Sequence, residues 1–148
     1  MTQGISTFLV AVTDPEYKEV FALRDEVLRK PLGQSLHDDD LSRDYTDAIL
    51  AAKHNDTVIA CLMLHHIDDN EVQLRQMAVY EQWQGKGIGK LLVQYAEKYA
   101  KDKGYTNIML HARKVAMGFY TGLGYVQYGD VFEEVGIPHF MMEKMIGV

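Results

Sequence analysis

Residues Gln84-Gly85-Lys86-Gly87-Ile88-Gly89 place three glycines within five positions, after an apolar strand-like run and before an amphipathic helical pattern. Glycine permits the tight turns that leave successive N–H groups exposed, and the start of a helix adds the positive end of its dipole. A segment of this kind holds an anion mainly through its backbone. The chemistry it offers is the grip of a pyrophosphate.

Two nucleotide-binding fingerprints fail on spacing. The nucleotide-kinase pattern G-x-x-x-x-G-K-[ST], counted from Gly85, puts Lys90 where its second glycine should stand and meets no hydroxyl afterwards. The dinucleotide pattern G-x-G-x-x-G ends on Lys90 or on Leu92. The pattern that fits is Q/R-x-x-G-x-G/A, at Gln84, Gly87 and Gly89. Upstream lies Leu74-Arg75-Gln76-Met77-Ala78-Val79-Tyr80; downstream lie Ala116-Met117-Gly118-Phe119-Tyr120 and Gly122-Leu123-Gly124-Tyr125. On these three segments, spanning residues 71 to 128, the chain resembles the GNAT family of N-acetyltransferases.

The resemblance implies roles for particular residues. Backbone groups of Met77, Ala78 and Val79 would pair with the pantetheine arm of acetyl-CoA and polarise its thioester, while Gln84, Gly85, Lys86, Gly87, Ile88, Gly89 and Lys90 would hold the pyrophosphate. Ala116 and Tyr120 would complete the cofactor site, with Tyr120 protonating the departing sulfur; a phenol, normally titrating near ~10, carries its proton at neutral pH. The segment Phe132-Glu133-Glu134-Val135-Gly136-Ile137-Pro138-His139 is similar to the F-x-E-x-G-I-P-H tail of a subgroup of small bacterial members. It supplies Glu134 and His139 as candidates for removing the amine's proton, with His111 as another possibility. One departure is Arg113, where many members carry Asn three residues before the alanine matching Ala116.

Each candidate has a plainer reading. Lys86 and Lys90 could be exposed lysines at a helix terminus, Phe119 and Tyr120 adjacent core aromatics, and His139 a histidine packed beside Pro138. Asp38-Asp39-Asp40 reads best as a solvated loop or helix cap. Cys61, the single cysteine, lies in the apolar run Val58–Leu64 and reads as a buried small hydrophobe. No His, Cys or carboxylate spacing argues for a metal.

The elements that must position these groups follow from periodicity. A strand is predicted over residues 6 to 12, then a helix capped by Asp14 with Pro15 at its first position and running to Arg29. Residues 47 to 53 and 57 to 67 predict two strands joined at His54-Asn55-Asp56. After the glycines, Ile88, Leu91, Leu92, Tyr95, Ala96 and Tyr99 recur at helical spacing, and Gly104 supplies the stop. A strand from Thr106 to Arg113, parallel to the one before the helix, a short helix over 114–122 and strands near 125–132 and 138–146 complete the chain. The expected fold is α/β of the α+β type: a GNAT-like mixed, mostly antiparallel sheet of about six to seven strands flanked by about four helices.

With 148 residues, 47% of them apolar, the chain is expected to form one domain over residues 1–148. A net charge of −6 without a lysine and arginine stripe disfavours nucleic acid and anionic membranes as partners and suits a cationic small molecule. No leader pattern or 18-residue apolar run is present, so a cytoplasmic location is expected. The function expected from the resemblance is direct acetyl transfer to a primary amine within a ternary complex, by a possible homodimer. The alternative is a non-catalytic acyl-CoA-binding module.

Overall fold

Strand-forming apolar runs broken by polar turns dominate the first part of the chain, and the computed structural model, which describes residues 4–147, folds them as such. β1 (Ile5–Val10) pairs antiparallel with β2 (Ala48–His54), which pairs antiparallel with β3 (Thr57–His66). Asn55 makes the β2–β3 turn at φ +54°, a left-handed conformation that Asn tolerates better than most residues. β3 is buried from Val58 to Leu64, which explains why its sequence is an unbroken apolar run rather than an alternating one.

β4 (Glu71–Val79), α2 (Ile88–Asp102) and β5 (Asn107–Arg113) form the expected crossover; β4 and β5 are parallel, from Glu71 opposite Asn107 to Leu74 opposite Leu110. α3 (Lys114–Gly122) leads to β6 (Val126–Glu134), and β7 (Ile137–Met145) returns antiparallel to both β6 and β5. The sheet is mixed and mostly antiparallel, with seven strands in the order β1-β2-β3-β4-β5-β7-β6. On α2 the buried positions are Ile88, Leu92, Val93, Ala96 and Ala100, so the apolar stripe is rotated toward Val93 relative to the predicted one.

The N-terminal helix departs from expectation. Asp14 does not cap it: the Asp14 carboxylate accepts the N–H of Ala11 at 2.8 Å, and residues 14–16 form a turn. α1 therefore begins at Tyr17 and is regular to Arg24, then continues as a π turn over Asp25–Arg29 and a 3-10 turn over Lys30–Leu32. Three α-helices, rather than about four, stand among the described residues. Residues 34 to 46 form only two short 3-10 turns, because side chains hold that loop in place of a helical ladder. Asp25 accepts the N–H of Leu36 at 2.7 Å, Asp39 takes the Arg29 guanidinium at 2.8 Å, and Asp40 accepts the N–H of Ser42 at 3.0 Å. Asp39 and Asp40 of the acidic cluster thus tie the loop, while Asp38 is exposed.

The chain groups into two compact units. One comprises the residues up to His65 with Gln76–Ala96, the other His66–Arg75 with the residues from Glu97 on. The first is built on Val10, Val20, Leu23, Ile49, Ala51, Val58, Cys61, Met63 and Ala78. Burying one such Leu or Ile contributes about 1.5–3 kcal/mol. Burial pushes the Cys61 thiol up to about 12, consistent with an inert core residue rather than a nucleophile. Beside this core, Arg24 and Asp44 form a buried ion pair at 2.8 Å, and Tyr17 also donates to Asp44. The second unit buries Ile108, Leu110, Ala112, Tyr125 and Met142. There Glu97 accepts from the Tyr125 hydroxyl at 3.0 Å and from Lys144 at 3.1 Å.

Candidate active site

In the first unit the chain leaves β4 through a fixed corner. The N–H of Tyr80 bonds the oxygen of Ile59 at 3.1 Å, a 3-10 turn covers Glu81–Trp83, and the Gln84 side chain reaches back to donate to the Val79 oxygen at 2.9 Å. Gly85 and Gly87 then adopt φ of +74° and +82°. A Cβ at either would meet nothing within 4 Å, so glycine is required for its backbone conformation and not for want of space.

The first main-chain bond of α2 closes from the N–H of Leu91 to the oxygen of Gly87 at 3.1 Å, which leaves the amides of Ile88, Gly89 and Lys90 ahead of the helical ladder. Among the described residues no main-chain bond takes up the N–H of Gly85, Lys86 or Gly87 either. Gln84 to Gly87 and Lys90 are exposed, whereas Ile88 is buried and anchors the turn. Lys86 lies over the Trp83 ring with its nitrogen 5.8 Å from the centroid. The donor set fits a diphosphate: amides in succession, a helix dipole and two lysines.

At the end of β4, Met77, Ala78 and Val79 lie beyond the stretch that pairs with β5. The strand is irregular there, since Gln76 has φ +53° and its main-chain oxygen receives the Cys61 thiol at 3.8 Å. Ala78 faces the core, while Met77 and Val79 are half-buried on the alternate face.

In the second unit, α3 starts directly after β5, with Arg113 extended at its N-terminus and half-buried. Ala116 is half-buried on this helix, and Tyr120 is its buried residue, 8% exposed. Phe119 and Tyr125 pack edge-on against the Tyr120 ring at 5.1 and 5.7 Å between centroids. Burial pushes the Tyr120 phenol up to about 12. Phe119, 39% exposed, is not its core companion, so the two adjacent aromatics have different surroundings.

The β6–β7 hairpin turns through Val135 and Gly136, at φ +49° and +73°, the geometry of a two-residue hairpin turn. The pairing sets Phe132 opposite His139 and Glu134 opposite Ile137, while β5 brings Arg113 opposite His139. The Glu134 carboxylate thereby lies between two imidazoles. Its Oε1 accepts from His111 Nδ1 at 2.9 Å, and its Oε2 is 3.7 Å from His139 Nε2. His139, 5% exposed, donates from Nδ1 to the oxygen of Ile137 at 2.8 Å, which fixes its ring. The Phe132 and His111 rings pack in a T-shaped contact with 4.9 Å between centroids.

The structure thus joins Glu134 and His139 with His111, which the sequence named only as a further possibility. The signal was present in the alternation of β5, β6 and β7, but it needed the register to be read. Glu133 falls on the opposite face from Glu134. Among the described residues no three His, Cys or carboxylate groups form a candidate metal site, and no helix is long and apolar enough to cross a membrane.

Comparison with known proteins bears on this assembly of parts. A Bacillus subtilis protein, YyaT, is 38% identical over 74 residues, 50% of each chain, and the chain spans about half the length of the curated relatives it matches. Two solved structures share the fold. One, from Lactobacillus plantarum, has TM-score 0.87 and 23% identity, with 97% of this chain and 99% of that one covered. The other is a GNAT family acetyltransferase from Elizabethkingia anophelis with acetyl-CoA bound, at TM-score 0.68 and 20% identity, covering 96% and 98%. The sequence model of the acetyltransferase (GNAT) family matches residues 14–125, a span that holds the glycine cradle, the end of β4 and Tyr120. On that match the chain belongs to the GNAT family of acetyltransferases.

Proposed function

We propose that the protein is an acetyl-CoA-dependent N-acetyltransferase that passes the acetyl group directly to a primary amine within a ternary complex. The observation that carries this reading is the run of amides ahead of α2 that no main-chain bond takes up among the described residues, in a turn set by left-handed Gly85 and Gly87. Acetyl-CoA supplies the acyl group as a thioester on a diphosphate-bearing carrier. The amides of Gly85 to Lys90 hold the diphosphate, with Lys86 and Lys90 adding charge to a helix terminus worth roughly half a positive charge.

Backbone groups of Met77, Ala78 and Val79 align the pantetheine arm, and the family pattern assigns Ala116 and Tyr120 to the same cofactor. Tyr120 is the general acid. Its buried phenol keeps its proton throughout the physiological range and donates it to the charge that develops on sulfur. Glu134 and His139 serve the acceptor end, where the amine must lose a proton. The net charge of −6 favours a cationic acceptor, and supply of acetyl-CoA favours action in the cytoplasm, as a monomer or a homodimer.

The test is release of free thiol from acetyl-CoA over a panel of primary amines, alongside the shift in melting temperature produced by coenzyme A. Amine-dependent thiol release supports the transferase. A melting shift without any such release would identify an acyl-CoA-binding module instead. No melting shift at saturating coenzyme A would remove the cofactor reading.

A further inference from the structure

Two imidazoles flank the Glu134 carboxylate, and their hydrogen bonds make them chemically unequal. His139 is the more buried, with its side chain 7% exposed; its Nδ1–H is committed to the oxygen of Ile137, and its Nε2 faces Glu134 Oε2 at 3.7 Å. Its Nδ1–H is thus taken, and its ring is the less accessible of the two. His111 has one nitrogen committed, since a carboxylate accepts and Nδ1 must therefore carry the hydrogen directed at Glu134 Oε1, 2.9 Å away. In the neutral ring this leaves the lone pair on Nε2. The His111 side chain is 26% exposed, so that lone pair lies on a reachable ring.

The place of His111 in β5 matters as much as its bonds. Pairing between β5 and β4 ends at Leu110, so His111 is the first residue of β5 past the paired stretch. A carboxylate holding Nδ1–H, a T-shaped aromatic contact fixing the ring plane and a lone pair on the opposite nitrogen together make an oriented base. The plainer possibility is a polar tie between β5 and the β6–β7 hairpin. Loss of a tie would leave the pH profile of turnover unchanged, whereas loss of a base would not.

We infer that His111 is the general base of the reaction, with Nε2 as the atom that takes the acceptor's proton and Glu134 as the residue that positions the ring; this rests on the acetyl-transfer reading. In the step, an N–H bond of the acceptor ammonium breaks and an Nε2–H bond forms. The resulting imidazolium is stabilised by Glu134 through Nδ1–H and later gives its proton to water. The freed nitrogen lone pair forms the C–N bond, and the sulfur leaves with the C–S electron pair and takes the Tyr120 proton. The second proton, shed by nitrogen as it becomes an amide, restores the phenol. The His139 ring lies on the far side of Glu134, its Nε2 3.7 Å from Oε2. The ionisable groups on the same face of these strands are Arg113 on β5, His139 and Glu143 on β7, Tyr128 and Glu134 on β6, and Glu71 and Arg75 on β4.

The experiment uses the full chain as wild type, His111→Gln, His111→Ala and Glu134→Gln, with acetyl-CoA and the amine panel, read as turnover against pH. All variants should keep the wild-type melting shift with coenzyme A. His111→Gln should lose about 10²–10⁴-fold in turnover at neutral pH and regain much of it as the pH approaches the amine's own titration. Free imidazole should partly restore turnover to His111→Ala, and Glu134→Gln should fall between wild type and His111→Gln. Wild-type turnover in His111→Gln, or an equal loss at every pH with no imidazole rescue, would overturn the base while leaving the transferase standing. A wild-type protein that acetylates no amine would overturn the transferase reading and the base with it.

Discussion

The side-chain nitrogen of Gln84 donates to the main-chain oxygen of Val79 at 2.9 Å, tying the first residue of the glycine turn to the last residue of β4. Gln84 acts through its partner: it sets where the following amides start. Gln84→Ala should cost about 0.5–1.5 kcal/mol of stability, the net worth of one hydrogen bond. Calorimetric titration should also show weaker coenzyme A binding. Gln84→Glu should bind more weakly still, because a carboxylate cannot donate to Val79 and repels a diphosphate.

Gly87→Ala separates backbone strain from steric exclusion. At φ +82° with open space around the missing Cβ, alanine should cost about 1–2 kcal/mol of stability through the left-handed backbone alone. Thermal unfolding should move down by roughly 2–8 °C. If the amides grip the cofactor, the rise in melting temperature with coenzyme A should shrink as well. Gly118→Ala within α3, where the backbone is helical and a Cβ meets nothing, should raise stability by about 0.4–1 kcal/mol.

Tyr120→Phe should lower turnover on the order of 10²-fold with little change in coenzyme A affinity. Its pH signature has a definite sign. Burial raises the folded phenol to about 12, so between about 10, where the unfolded chain loses this proton, and 12 the folded state holds it more tightly. The stabilisation from this group is therefore complete below pH ~10 and is lost as pH rises toward 12. The phenylalanine variant should lose less stability than wild type across that window in denaturant titrations. Tyr17, raised to about 12 by burial and then by Asp44, and Tyr125, raised further by burial and Glu97, remain in both proteins and set the background.

Asp44→Ala should be among the most destabilising single changes outside the apolar core. It leaves the Arg24 guanidinium, 2% exposed, without its carboxylate, at a cost of about 3–5 kcal/mol. Asp39→Ala breaks a pair whose partners are 16% and 27% exposed and should cost only about 0–1 kcal/mol. Urea unfolding of the two variants side by side measures the contrast, and equal losses would contradict the burial argument.

Most of the scaffold was legible because it is locally encoded. The glycines at 85, 87 and 89, the apolar run of β3 and the stop at Gly104 act over a few residues and depend on backbone freedom or on one buried face. The start of α1 was misread because Asp14 had two local partners to choose from, and the Ala11 N–H won. The wobble of the α2 stripe toward Val93 has a tertiary origin, since periodicity fixes a face only to within a residue or so.

By itself the amino-acid sequence determined the glycine turn before α2, the order of strands and helices around it and the family pattern they carry, because turn chemistry and hydrophobic period are properties of neighbouring residues. Which ionisable groups meet was decided only in three dimensions. His111 and Glu134 are 23 residues apart, and Arg24 and Asp44 are 20 apart. Strand register and the packing of the loop after α1 bring them within bonding distance. A carboxylate's partner is chosen by the fold as a whole, and no pattern along the chain encodes that distance.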